Sequence, residues 1–273
     1  MTVSEIRALA ARIQAEVGQP PLSDQALTRL DDPQVEHVRI RDSDGVLVGY
    51  AQRDGLYAEV ATSDPHVVDR LIDNVVALGG TTIWSHGRRS PVENALRAQG
   101  FIPARTLHQM RRPLSDEIVV PPLPAGVVIR PFVPGADEDA FLRVNAAAFA
   151  DHPEQGDWTR ADIEAREAES WFDPAGLLLA ERAGNLIGYH FTKRHEDGNG
   201  EVYVIGVDPA GQGLGLGKVL LAAGLQYLRE RGCPLVLLYV DESNVGARGL
   251  YMRVGFVDYD RDIQWNRPLE VGP

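Results

Sequence analysis

The sequence predicts an α/β (α+β) protein of two tandem domains, each a mixed central sheet flanked by helices. Three observations carry that prediction: an internal repeat, a proline-rich divider between its copies, and a buried strand that runs through a glycine loop into a helix. The chain of 273 residues is long enough for two ordinary domains, each with its own core.

The repeat is weak at any one position but keeps its order. GVLVGY (Gly45 to Tyr50) matches GNLIGY (Gly184 to Tyr189), a turn followed by an alternating strand. EVATSDP (Glu59 to Pro65) matches YVIGVDP (Tyr203 to Pro209). NALRAQGFIPARTLHQMRRPL (Asn94 to Leu114) matches GLYMRVGFVDYDRDIQWNRPL (Gly249 to Leu269), sharing a Gly-Phe, a Gln and a closing Arg-Pro-Leu. Chance gives one such match easily, but not three in one order. Between the copies lies PLSDEIVVPPLPAG (Pro113 to Gly126), a composition suited to an extended connector. The boundaries are therefore residues 1–114 for the first domain, 115–126 for the linker and 127–273 for the second.

In the second copy, Ala136 to Ala150 lacks strand alternation and reads as a helix, as does Glu164 to Trp171. LLLAERAGNLIGYHFTKR is a hairpin turning at Ala-Gly-Asn. EVYVIGV and LVLLYV are buried strands. Between them Lys218 to Arg231 is a helix, with Leu221, Leu225 and Leu228 on one face and Gly232 as its stop. Ser243 to Val254 is a short helix opened by Ser or Asn, and GFVDYDRDIQW leads into a last strand.

A net charge of −12 argues against nucleic-acid and anionic-membrane partners, so a polyanionic ligand needs local donors. The lone Cys233 admits no internal disulfide and fits a reducing compartment as a small buried residue. No apolar run has transmembrane length, and the N-terminal stretch lacks signal-peptide order, which points to the cytoplasm; a monomer is expected. The seven histidines show no metal-ligand spacing, so no metal is expected; His190 and His195 read as packing or polar-contact residues.

The loop QGLGLGK (Gln212 to Lys218) fits neither the Walker plan nor the dinucleotide plan, because its glycines alternate at 211, 213, 215 and 217. Glycines let successive backbone N–H groups turn toward one anion, and the following helix adds its positive end. For this loop alone, a pyrophosphate cradle and a tight connection needing clearance stay equally open.

About thirty residues later comes NVGARGLYMRVGF (Asn244 to Phe256). Together, Gln212, Gly215 and Gly217, then Asn244, Ala247, Tyr251 and Gly255-Phe256, resemble the two signature motifs of the GNAT superfamily of acetyl-CoA-dependent N-acetyltransferases. HPEQGDW, HFTKRH, EVYVIGVDP, LLYV and QMRRPL extend the resemblance to tandem members that acetylate the cysteinyl amine of a cysteinyl-glucosaminyl-inositol. This covers nearly the whole chain and is strongest from Gly126 onward.

The resemblance implies two tandem GNAT domains, with acetyl-CoA as cosubstrate and a small amine as acceptor. It places the CoA pyrophosphate on the amides of Gln212, Gly213, Leu214, Gly215, Leu216, Gly217 and Lys218. It also places the pantetheine arm along Ile205, Gly206 and Val207, with further contacts from Asn244, Val245, Gly246, Ala247, Arg248 and Gly249. Glu201 takes the position of the general base and Tyr251 that of the acid for the leaving sulfur. Without the resemblance, Glu201 reads as a solvated charge and Tyr251 as a core aromatic. The acceptor positions are Asp24, Glu154, Lys193, Glu201 and Tyr239; Asp24 would put the acceptor between the domains.

The first copy lacks this chemistry. Aligned through the shared Asp-Pro, Glu201 corresponds to Tyr57; aligned through the shared Gly-Phe, Tyr251 corresponds to Leu96. Where the second copy has its glycine loop the first has HVVDRLIDN, with two acids that would repel a pyrophosphate. A catalytically inactive first domain that shapes the acceptor pocket is expected.

Overall fold

A computed structural model describes residues 3–150 and 155–268. It divides into two compact units: Met1–Gln109 with Asp241–Ser243 and Tyr259–Pro273, and Met110–Val240 with Asn244–Asp258. Each copy's final strand therefore ends in the unit of the other copy.

The first unit contains α1 (Val3–Val17), α2 (Asp24–Thr28), β1 (Glu36–Arg41), β2 (Leu47–Asp54), β3 (Tyr57–Ala61), α3 (Pro65–Ala77), β4 (Thr82–His86), α4 (Pro91–Ala98) and the start of β5 (Ile102–Pro113). Strands β1, β2 and β3 pair antiparallel, and β3 pairs parallel with β4. The helix starts obey local chemistry. Asp64 and Ser90 each accept an amide of the first turn while Pro65 and Pro91 supply the preset φ of the first helical position. Leu71, Ile72 and Val75 of α3 bury against Ala58, Val60 and Ile83 of the sheet.

The second unit contains β6 (Val127–Pro131), α5 (Glu138–Ala148), α6 (Arg160–Glu167), β7 (Leu177–Arg182), β8 (Asn185–Arg194), β9 (Gly200–Val207), α7 (Leu216–Glu230), β10 (Leu235–Asp241) and α8 (Val245–Arg253). Its strand order is β10-β9-β8-β7-β6, antiparallel throughout except the parallel β9–β10 pair. Both copies thus repeat one plan, an antiparallel meander followed by a parallel crossover through a helix. The β7–β8 turn falls at Ala183 and Gly184, both at positive φ, as a two-residue hairpin whose twist matches its strands requires.

The final strand, β11 (Val257–Asn266), pairs antiparallel with β4 from Asp262 opposite His86 to Asn266 opposite Thr82. Trp265 is fully buried in the first unit's core, and its indole donates to Ser85 Oγ at 3.0 Å. Helix α6 begins at Arg160, four residues before the helix read from the sequence, because Thr159 and Asp162 form a capping box there.

Candidate active site

The site is organised by β9, which leaves its neighbours at two places. Against β8 the register runs Phe191 opposite Val204 but Thr192 opposite Val202, so Tyr203 is an extra residue. Such a bulge bends the strand and turns adjacent side chains the same way. Tyr203 and Val204 accordingly both pack into the cluster containing Phe141 and Phe191. Against β10 the parallel register is Gly200 with Val236 and Glu201 with Leu237. From Val202 to Val207 the strand runs on beyond that register, so its β10-facing edge is available to an extended ligand.

Past β9, Asp208 accepts the Ala210 amide at 2.9 Å and closes a single turn over Pro209–Gly211. Gly213 and Gly215 then sit at φ +78° and +74°, a region costly for other residues. The amides of residues 213 to 217 find no acceptor among the described residues. They lie at the start of α7, an N-terminus with no side-chain cap. A cavity of about 300 Å³ opens here, lined by Val207, Gln212, Gly215 and Lys218 and closed by Gly246 and Arg253 of α8. Asn244 caps α8 through the Ala247 amide at 3.1 Å, which holds that helix in place.

The α8 cation at this cavity is Arg253, which the sequence motif did not single out. Arg248 spends its guanidinium on Asp258 instead. A positive helix end, free amides and two flexible cations suit a diphosphate despite the acidic protein.

The second group of side chains follows from strand register, because residues paired across strands share a face. Lys193 on β8 lies opposite Glu201 on β9, and Leu237 on β10 opposite Glu201 in turn. Tyr239, two residues beyond Leu237, shares that face and is 39% exposed. Glu201 itself is only 7% exposed. Lys193 Nζ sits 5.1 Å from the Trp171 ring centre and 5.6 Å from that of Tyr203. The Arg166 guanidinium lies 3.7 Å over Trp158 and donates to the Tyr203 hydroxyl at 3.2 Å. Burial raises the Tyr203 phenol above its usual range, so it stays neutral. The result is an aromatic recess with one carboxylate and two cations, a chemistry suited to a polyhydroxylated ligand.

Val202, Val236 and Leu238 alternate with those residues and point to the opposite face, into the cluster that contains Tyr251. Tyr251 is 7% exposed, its ring edge-on to Phe256 at 5.7 Å between centres. Burial pushes its phenol up to about 12. Glu201 and Tyr251 thus belong to opposite faces of the sheet at the point where β9 and β10 part.

Ile205, Gly206 and Val207 lie on the free run of β9, and a side chain at Gly206 would meet the Tyr189 ring at 2.7 Å. Val245, Gly246, Ala247, Arg248 and Gly249 form the first turns of α8. Glu154 falls outside the described residues. Asp24 belongs to the first unit, as the first residue of α2, where Ser23 holds the turn by binding Glu59 through both its amide and its hydroxyl. Sequence reading missed the Trp158, Trp171, Tyr203 and Arg166 recess: three of its members lie in or beside α6 and only Tyr203 on β9, so no periodic pattern marks it. It also set His195 aside, yet His195 Nε2 lies 2.7 Å from Glu201 Oε2. His190 is a packing residue as read: its ring is fully buried beneath α7, Nδ1 is 2.8 Å from the Leu220 carbonyl, and burial holds it down at about 4.

The first unit departs at each of these points. Helix α3 starts directly at Pro65 with Asp64 as its cap, leaving no glycine cradle. Tyr57 is exposed and Leu96 is fully buried in the core.

Residues 143–256 match the acetyltransferase (GNAT) family model. A GCN5-related N-acetyltransferase from Sphaerobacter thermophilus shares the fold with a TM-score of 0.71, covering 98% of this chain and 93% of its own at 24% identity. A tandem GNAT protein from the clavulanic acid biosynthesis pathway gives 0.72 at 19% identity, over 100% and 95% of the two chains. Fold and site together define a tandem GNAT acetyltransferase. The mycothiol acetyltransferase of Thermomonospora curvata is 47% identical over 97% of this chain and 94% of its own, and that of Salinispora arenicola 44% over 97% and 93%. The chain belongs to the mycothiol acetyltransferase family.

Proposed function

We propose that this enzyme transfers the acetyl group of acetyl-CoA to the cysteinyl amine of 1D-myo-inositol 2-(L-cysteinylamino)-2-deoxy-glucopyranoside, forming mycothiol by direct attack in a ternary complex. The observation that carries this reading is the parting of β9 from β10 between a free-amide cradle at residues 213–217 and the Glu201 carboxylate. The relatives' name, mycothiol acetyltransferase, supports the product, and the acceptor is the one the motif resemblance implies.

In this reading the diphosphate rests on the amides of residues 213–217, with Lys218 and Arg253 beside it. The pantetheine arm extends β9 along Ile205 to Val207 as a strand would, which brings the thioester to the gap. Glu201 accepts a proton from the ammonium on one face. Tyr251 protonates the departing sulfur from the other. A phenol at about 12 against a thiol near ~8.5 leaves a free thiolate about 5 kcal/mol short of taking that proton, so transfer accompanies C–S cleavage. Lys193, Tyr239 and the Trp171–Tyr203 recess receive the sugar and inositol hydroxyls. Glu154 is a further acceptor contact. The first unit, without counterparts of Glu201 and Tyr251, has no acetyl-transfer role of its own.

Mass spectrometry of the enzyme incubated with acetyl-CoA and the cysteinyl-glucosaminyl-inositol tests this. One added acetyl on the cysteinyl nitrogen, with an aminoglycoside control unchanged, is the expected result. Acetylation of the aminoglycoside in preference would overturn the acceptor assignment.

A further inference from the structure

The stoichiometry of amine acetylation leaves one proton to dispose of. The acceptor nitrogen enters as an ammonium with three protons and leaves as an amide with one. As the N–C bond forms and the C–S bond breaks, the sulfur gains a proton. One proton is therefore released to solvent in each turnover. Glu201, which receives a proton from the nitrogen, is poorly placed to release it, since its side chain is only 9% exposed.

The exposed partner of that carboxylate is His195, at 29% side-chain exposure and 2.7 Å from Glu201 Oε2. Its position is set by the β8–β9 turn, not by chance side-chain contact. The His195 amide donates to the Asn199 carbonyl at 2.9 Å, and the Gly198 amide donates back to the His195 carbonyl at 3.0 Å. Asp197 is occupied by Asn199 through both its amide and its side chain. Among the described residues, the other charged or titratable groups about Glu201 are Lys193 opposite it on β8, Tyr203 on its own strand and, through Tyr203, Arg166 of α6. On the β10 side its register partner is Leu237, with Tyr239 beyond. Of these, Lys193 and Arg166 are cations already carrying their protons and Tyr203 is a buried phenol. An imidazole has two ring nitrogens, so it can take a proton on one and give up a proton from the other.

We infer that His195 is the outer member of a Glu201–His195 proton relay, which carries the proton taken from the acceptor ammonium out to solvent. Glu201 accepts the ammonium proton and hands it to His195 Nε2, the imidazolium releases its other ring proton to water, and exchange of the ring proton through water returns the starting tautomer; the second N–H proton, lost as the tetrahedral intermediate collapses, replaces the one Tyr251 gives to the sulfur. No oxidant, reductant or further reactant is needed. The relay rests on the acetyl-transfer reading above, and it concerns proton exit rather than substrate binding.

The test compares wild type, His195→Gln, His195→Ala and Glu201→Gln in steady-state acetylation at low buffer concentration. The glutamine keeps a hydrogen-bonding partner for Glu201 but transfers no proton. The relay predicts a kcat about tenfold lower for both His195 variants with KM for acetyl-CoA unchanged. It also predicts recovery of most of that loss by added imidazole, rising with its concentration in His195→Ala, and no recovery in Glu201→Gln. A His195→Gln enzyme within twofold of wild type, or a loss that no buffer restores in either His195 variant, would overturn the relay. Wild type measured on the cysteinyl acceptor and on other small amines keeps the two readings apart. An enzyme active on a different amine changes the acceptor, and the same comparison on that amine still decides the relay.

Discussion

Glu201 and Lys193 face each other across the β8–β9 ladder, both more than nine-tenths buried, with Glu201 two residues before the bulge at Tyr203. Replacing Glu201 by Gln removes the acceptor of the ammonium proton without changing shape. Turnover should fall by about 10²-fold or more near pH 6.5 and recover as pH approaches the α-amine range of ~8, where free amine supplies itself. The log kcat/KM of the variant against pH should climb with unit slope over that interval. A flat profile at wild-type level would remove Glu201 from the chemistry.

Tyr251 acts as an acid only while its phenol is protonated, and burial pushes that phenol up to about 12. The sign is therefore that activity persists, not falls, as pH rises through 10. The wild-type kcat profile should show no alkaline limb from this residue below pH 11. Tyr251→Phe should lower kcat by about 10²-fold while leaving acetyl-CoA binding, measured by calorimetry, within twofold.

Gly215 holds φ at +74° with its amide among those left without an acceptor. Gly215→Ala carries a strain of about 1 kcal/mol in that conformation and tilts the cradle. The KM for acetyl-CoA should rise about tenfold with kcat at saturation nearly unchanged. Arg253→Gln should raise it less, and its effect should shrink at high salt, since an exposed cation is screened.

Two buried histidines give the fold opposite responses to pH. Burial holds His190 down at about 4, so it is neutral when folded and ionises near ~6.5 when unfolded. Its contribution is complete above pH 6.5 and is lost as pH falls from there toward 4. His86 is buried too, which would lower it, but Asp262 and Glu59, each 3.1 Å from a ring nitrogen, outweigh burial and raise it to about 10. Its contribution is complete below pH 6.5 and is lost as pH rises toward 10. Urea midpoints should therefore decline on both sides, and His86→Asn should flatten the alkaline side alone. The same packing explains Gly224 in mid-helix: a Cβ there would meet the His190 ring at 2.1 Å. Gly224→Ala should cost about 1–3 kcal/mol, seen as a lower Tm.

Much of this architecture is legible in the residues themselves. A glycine loop bounded by a buried strand and a leucine-faced helix is a local pattern, as is an Asn-capped helix ending in Gly-Phe. Both recur in the structure at nearly the bounds read for them. The parts that escaped are non-local. Nothing in VDYDRDIQW says that β11 pairs with β4 and buries Trp265 in the first unit's core. The bulge at Tyr203 depends on a register that only the folded β8 supplies. His195 reads in the sequence as a packing or polar-contact residue, but that its partner is Glu201, six residues on, is decided by the turn geometry. Arg253 lies within NVGARGLYMRVGF but is not one of its signature positions, because its place at the cavity depends on how α8 packs.

The most direct measurement is a crystal structure of the enzyme with acetyl-CoA bound. The account predicts the diphosphate on the backbone amides of residues 213–217 and the thioester carbonyl beside Ile205 to Val207, between Glu201 and Tyr251. Coenzyme seated instead at the Pro65 end of α3, or leaving residues 213–217 untouched, would contradict it.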